Sequence, residues 1–140
     1  AVTPWHDGAG LAGLLGGDDG LAARLDEIFS TQEEADEHTL GHYRRLVHEM
    51  VEARAIRCGM AAMSNQPAHH IPFMYLHAGQ PWKTQWWTRE ILDRLFVGTE
   101  IGQGYPGDED NGEMSAWWLW AAMGLYPLRP GSANWPSPHR

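Results

Sequence analysis

Apolar side chains recur along this chain in short stripes of helical spacing, separated by clusters of glycine, proline and acidic residues. Leu21, Leu25, Ile28 and Phe29 share one face of a helix predicted over 19–29, with Asp18 and Asp19 ahead of it as N-cap chemistry. A short apolar segment over 9–15 comes before it and is closed by Gly16 and Gly17. A second stripe, Leu40, Tyr43, Val47, Met50, Val51 and the aliphatic stem of Arg54, predicts a helix from Thr39 to about Arg57. A third, over 82–97, uses Trp82, Gln85 with Trp86, Leu92, Leu95 and Phe96, with Pro81 suited to its start and Gly98 to its stop. The last predicted helix, 113–123, is apolar around most of its circumference through Met114, Trp117, Trp118, Leu119, Trp120 and Met123. Such a helix belongs inside something larger.

The segments between are polar or broken. Residues 1–8 read as a loop, 30–38 as an acidic connection, and Ser64–Pro72 as a loop interrupted by Pro67 and Pro72. Residues 98–112 contain five glycines and one proline, hence an irregular loop, and the tail from Pro127 carries four prolines and reads as extended. No segment alternates as a strand does, so the reading is all-α. Helical hairpins of this kind stack as a bundle or as part of an α/α barrel whose loops converge on one face.

Charge and composition narrow the chemistry. The chain has 140 residues, enough for one domain, and a net charge of −8 with no run of Lys or Arg, which disfavours nucleic acid and attracts cations. Eight tryptophans exceed what packing requires and point to a bulky core or a sugar-stacking surface, with the core expected to take most of them. Cys58 is the single cysteine, so no intrachain disulfide forms. No apolar run reaches the roughly 18 residues of a membrane span, and residues 1–20 lack a secretion-signal pattern.

The chemically densest stretch is Gly107-Asp108-Glu109-Asp110-Asn111-Gly112-Glu113, four carboxylates running into a Trp-rich segment. Asp108 and Asp110 point the same way on an extended backbone, where they can share a cation, or one can deprotonate a water while the other tunes it. Equally, Asp110 with Glu113 three positions on forms a variant capping box. Asn65 and Gln66, in Ser64–Pro72, offer hard amide oxygens suited to Ca²⁺. His69 and His70 beside them read as hydrogen-bonded loop histidines; adjacent side chains rarely converge on zinc, and no HExxH or cysteine partner is present. Trp5-His6-Asp7 can bind sugar hydroxyls or start a helix through Asp7, with capping preferred. Lys83, in Gln80-Pro81-Trp82-Lys83-Thr84-Gln85, can bind substrate or neutralise the acidic loop.

In order, Asn65-Gln66-Pro67-Ala68-His69-His70-Ile71-Pro72, Ala78-Gly79-Gln80-Pro81-Trp82-Lys83-Thr84-Gln85, Arg89-Glu90-Ile91-Leu92, Gly107 to Trp117, Gly124-Leu125-Tyr126-Pro127 and Pro130-Gly131-Ser132 resemble the C-terminal catalytic part of glycoside hydrolase family 92, the calcium-dependent exo-acting α-mannosidases. Trp5-His6-Asp7 resembles that family's Pro-His-Asp segment. The resemblance implies part of an (α/α)₆ barrel behind an N-terminal β-sandwich, and cleavage of mannose-containing glycans, of α-1,2-mannosidase type, with inversion. It implies Asp110 as catalytic base with Asp108 as its acidic neighbour, and Asn65, Gln66 and Asp110 around a Ca²⁺ that holds mannose O2 and O3. Substrate contacts are implied for His6, Asp7, His69 and Lys83. The general acid is a Glu expected upstream of Trp5, so base and metal loops are expected to need the rest of the same polypeptide. A secreted or periplasmic location is implied as well. The chain departs from the pattern at Gly59–Ser64, where members often carry Tyr-Ala-His, at Trp86-Trp87, and across the loosely matching residues 30–57. The alternative is a non-catalytic, Ca²⁺-assisted glycan-binding module that stacks sugars on its tryptophans.

Overall fold

The computed structural model describes residues 2–36, 38–56, 58–97 and 104–132, which form helices and turns with no strand among them. Five α-helices follow in order: α1 Gly8–Leu14, α2 Asp18–Ser30, α3 His48–Ile56, α4 Pro81–Leu95 and α5 Glu113–Ala122. Short 3₁₀ segments at Trp5–Asp7, Gly41–Tyr43, Gln66–Ala68 and Ile71–Leu76 connect them. The all-α reading holds, and α2 extends the predicted helix by one residue at each end.

The core forms where α2, the Ile71–Leu76 segment, α4 and α5 meet. Leu21, Leu25 and Phe29 of α2 pack with Phe73, Met74 and Tyr75, with Ile91 and Leu95 of α4, and with Trp117 and Ala121 of α5. Aromatic rings lock these layers: Phe29 stacks on Trp87 at 4.2 Å, Phe73 on Tyr126 at 4.6 Å and Phe96 on Trp117 at 5.3 Å. Asp26 of α2 adds a polar tie by accepting from the Tyr75 hydroxyl at 2.8 Å. Burial, then Asp26, pushes the Tyr75 phenol well above its ordinary range.

Two expectations need correction. The helix predicted from Thr39 begins only at His48, and Leu40 and Tyr43 fall in or beside a 3₁₀ turn. Left-handed backbone at Gly41 (φ 62°) and Arg44 (φ 50°) breaks the helix, and Tyr43 lies exposed without a core to drive it inward. In α4 the buried face is Thr84, Thr88, Ile91 and Leu95, which leaves Trp82 and Trp86 exposed on the opposite side. These four residues recur at i, i+4, i+7 and i+11 on the face turned to Ile71–Leu76, a register that the two bulky indoles conceal in sequence. The tryptophans accordingly divide differently from expectation. Trp117 is buried, Trp5 and Trp87 flank the core, and Trp82, Trp86 and Trp118 are exposed.

The turn after α3 closes onto the end of α2. Met60 donates its backbone N–H to the Ile28 carbonyl at 2.7 Å, satisfying one of the helix's last acceptors. Gly59 makes the approach possible: its φ is 62°, and a Cβ there would lie 2.3 Å from the Ile28 oxygen. Gly59→Ala should cost more than about 1 kcal/mol, since a left-handed position and a backbone clash combine. Denaturant melts check this, and an unchanged midpoint would mean that the turn is free to move.

Candidate active site

The acidic loop and the Asn65 loop meet although they lie far apart in sequence. Gln66 Nε2 donates to Asp110 Oδ2. Gly107, with a φ of 69°, rests on Ser64; a Cβ there would lie 2.9 Å from the Ser64 Cβ and carbonyl oxygen. Only glycine lets the two loops come this close. His69 forms the second tie. Its ring is buried, with Nδ1 2.8 Å from Glu113 Oε1 and Nε2 2.8 Å from the Met63 carbonyl oxygen. A neutral ring carries one N–H and donates to one of these acceptors, whereas an imidazolium donates to both. The Trp117 indole N–H donates at 3.0 Å to the His69 carbonyl, so α5 grips this residue at side chain and backbone alike.

The first turn of α5 is capped by a residue that the capping-box reading does not name. Glu109 accepts from the Gly112 N–H and, at 3.2 Å, from the Ser115 N–H. Asp110 makes no such bond, and the residue flanking the helix is Gly112 at φ 96°. Bonds from the Gly112 N–H first and from Ser115 next hold the Glu109 carboxyl below its ordinary range. Asp110 and Asn111 are both left-handed, at φ 54° and 59°. Such backbone is costly away from glycine, tolerated best by Asn and Asp, and concentrates at functional sites. With Glu109 on the helix end, exposed Asp110 is turned toward Gln66 instead.

The remaining candidate residues are placed unequally. Asn65 Nδ2 donates to Glu49 Oε1 at 3.0 Å. Asp108 is exposed on the acidic loop. Asp7 caps α1 through the Gly10 N–H at 3.0 Å, the role preferred for it from sequence, and His6 lies exposed beside it. Their segment docks through Trp5, which packs on the His70 ring at 5.0 Å, while His70 Nε2 meets the Val2 carbonyl oxygen at 2.9 Å. Burial lowers the His70 pKa. Lys83 is tied to Asp26 at 2.6 and 2.8 Å and sits 5.4 Å from the Tyr75 ring centre.

Sequence reasoning passed over Glu49, Glu52, Glu109 as a cap, and His77. The His77 ring fills the space beside Gly8, where a Cβ would come within 2.0 Å of it, and its buried Nε2 has no hydrogen-bond partner among the described residues. Burial first, then Arg129, lowers its pKa. Its contact with Gly8 is long-range, so local spacing in the sequence does not mark it.

The cation chemistry of this corner is oxygen chemistry. Among the described residues no group of three or more His, Cys, Asp and Glu side chains is placed to hold a metal ion. With Gln66 Nε2 on Asp110 Oδ2, the opposite atoms Gln66 Oε1 and Asp110 Oδ1, together with Asn65 Oδ1, are hard oxygens of the type Ca²⁺ takes. That donor set fits calcium. Close by, Phe96, Gly104, Tyr105, Ser115 and Trp118 line an apolar recess beside the start of α5.

A family model for the glycosyl hydrolase family 92 catalytic domain matches residues 2–136. The chain belongs to glycosyl hydrolase family 92. A family 92 α-mannosidase from Bacteroides thetaiotaomicron, BT3965, superposes with a TM-score of 0.72 at 27% identity, over 96% of this chain and 16% of that one. Its complex with mannoimidazole gives 0.70 at 28% identity, with the same shares of 96% and 16%. A protein of Arthroderma benhamiae described as an uncharacterized secreted glycosidase is 27% identical over 126 residues, 90% of this chain and 12% of that protein. The chain thus spans about one-eighth to one-sixth of the length of these relatives. Its helices are a segment of the (α/α)₆ barrel of family 92 structures.

The cap carries a pH signature. A carboxyl whose folded-state pKa lies below its unfolded value stabilises the fold fully above that unfolded value, 4.5 here, and loses this contribution as the pH falls through the folded value. Wild type and Glu109→Ala should therefore differ in melting temperature at neutral pH and converge below about 4.5. A gap that does not change with pH would show that the carboxylate is not the capping group.

Proposed function

We propose that this chain supplies the catalytic base and the calcium-holding loop of a glycosidase that releases mannose from α-linked glycans with inversion of configuration. One observation carries the reading: Gln66 and Asp110 meet across 44 positions of sequence while Glu109 relieves Asp110 of helix capping. Support for mannose comes from the relatives, since BT3965 is an α-mannosidase and its complex contains mannoimidazole.

Inverting hydrolysis needs a base on one face of the sugar and an acid on the other, separated by room for the attacking water. Asp110 would take a proton from that water as its oxygen bonds to the anomeric carbon, and the glycosidic oxygen would leave with a proton from an acid outside this chain. Asp108, two positions away, is the acidic neighbour of that base on the same loop. Asn65, Gln66 and Asp110 would hold the Ca²⁺. When bound, the ion would supply positive charge beside Asp110 and oxygen-coordinating capacity for vicinal sugar hydroxyls. The recess containing Tyr105 and Trp118 offers an apolar surface of the kind sugar faces stack on. The exposed indoles of Trp82 and Trp86 suit a surface covered by the remaining barrel of the same polypeptide. A secreted or periplasmic setting is in keeping with the secreted fungal relative, and no described helix is long and apolar enough to cross a membrane.

The test uses the full polypeptide that carries this chain and an α-mannoside substrate. Chelation should remove activity and Ca²⁺ should restore it, and NMR should find β-mannose as the first product. Asp110→Asn should lower kcat by about 10²–10⁴-fold with the melting temperature nearly unchanged, because Glu109 caps α5. Retention of configuration, full activity in chelator, or a highly active Asp110→Asn protein would each overturn the reading. Sugar binding without turnover by an intact polypeptide would favour the glycan-binding module.

A further inference from the structure

The Asn65 loop owes its shape to α3, which lies in the part of the chain that resembles the family least. Glu49 and Glu52 are three residues apart, so their side chains share one face of that helix. Glu52 accepts the Met63 N–H on Oε1 and the Ser64 N–H on Oε2, both at 2.7 Å. One carboxylate bound to two consecutive amides fixes both peptide planes leading into Asn65. Glu49 Oε1 takes the Asn65 Nδ2 at 3.0 Å. An ionised carboxylate only accepts, so Glu49 determines which edge of the Asn65 amide is nitrogen and turns the oxygen edge away from itself. The helix bearing both groups is in turn fastened by Arg54, whose Nε lies 2.6 Å from Glu33 Oε2.

We propose that Glu49 and Glu52 are positioning residues for the Asn65–Gln66–Asp110 group. Glu52 sets the backbone of the loop, and Glu49 sets the Asn65 amide with its oxygen presented before any cation arrives. The inference rests on the calcium reading above and deepens it, naming the groups that prepare one ligand. Both Glu52 oxygens are taken by loop N–H donors and Glu49 Oε1 by the Asn65 amide, so neither carboxylate is assigned as a ligand.

The experiment compares the full polypeptide with its Glu49→Ala, Glu49→Gln, Glu52→Ala and Glu52→Gln variants. Calcium titration calorimetry gives the affinity, and amide hydrogen exchange without calcium reports on the loop. Glu52→Ala should strip protection from Met63 and Ser64, leave Phe73 and Met74 protected, and weaken Ca²⁺ binding on the order of 10–100-fold, the usual reach of groups that orient ligands. Glu49→Ala should weaken binding similarly but keep Met63 and Ser64 protected. Glu49→Gln retains an acceptor for Asn65 and should recover most of the affinity, and Glu52→Gln, with one acceptor oxygen left, should fall between wild type and alanine. Alanine variants that bind Ca²⁺ as wild type does would overturn the proposal. So would a Glu49→Gln protein as weak as Glu49→Ala. A wild-type protein that takes up no Ca²⁺ overturns the calcium reading instead. In that case unchanged exchange at Met63 and Ser64 in Glu52→Ala overturns the positioning role, and loss of protection there sustains it for the loop backbone.

Discussion

The site depends first on one buried imidazole. His69 stands between the Met63 carbonyl and the Glu113 carboxylate, and its own carbonyl receives the Trp117 indole N–H. These contacts join the turn before the Asn65 loop, the loop itself and the first turns of α5. Polar groups removed from water must be paired, and here the pairs reach across distant sequence, so their geometry is dictated by the fold. Removing the ring would leave a buried carbonyl and a carboxylate without partners and would loosen both loops together. Glu113 also reaches the core indirectly, because burial, followed by its charge, pushes the Tyr126 phenol up to about 12.

A second constraint is the division of roles among neighbouring acids. Glu109 and Glu113 face the protein, one on the helix end and the other on His69, whereas Asp110 faces Gln66. The left-handed backbone at Asp110 and Asn111 makes this alternation possible, since it reverses the chain between two inward-facing glutamates. Carboxylates that would repel one another in a regular helix are thereby sent in different directions, each toward donors of its own. Like-charge crowding becomes tolerable once three of the four acids have partners of their own and Asp108 stays in solvent.

Sequence patterning was a good guide wherever apolar side chains decide the structure. Leu21, Leu25 and Phe29 form the buried stripe of α2 as their spacing requires, whereas α5, apolar around most of its circumference, buries Met114, Trp117 and Ala121 and leaves Trp118 and Leu119 exposed. It failed where small or polar groups do the packing. The threonine face of α4 was hidden behind Trp82 and Trp86, and the Leu40–Tyr43 stretch looked helical because two left-handed residues leave no mark in hydrophobic periodicity. The ordered motifs placed the chain in its family and marked Gln66 and Asp110, which the fold brings together. They could not reveal the capping by Glu109 or the grip of Glu49 and Glu52, because hydrogen bonds between α3 and a loop many residues away have no signature in local spacing. Glu33 illustrates the same limit. Burial pushes its carboxyl up, yet Arg54 and the Ala35 N–H outweigh that and pull it down, inside a segment that reads as a plain acidic connection.

The way α3 is attached has a consequence for motion. Among its described side chains only Ala53 is buried, so little hydrophobic area fastens it to the rest, and its ties are the Glu33–Arg54 pair and the two glutamates on the loop. Elements with few apolar contacts open at lower free energy than the core around them. The helix is therefore held more by charge than by packing, whereas the loop it braces stays anchored to the core through buried Met63, Ser64 and His69. The stretch that presents Asn65 is thus clamped from two sides, by the packed core through His69 and by the carboxylates of a lightly packed helix.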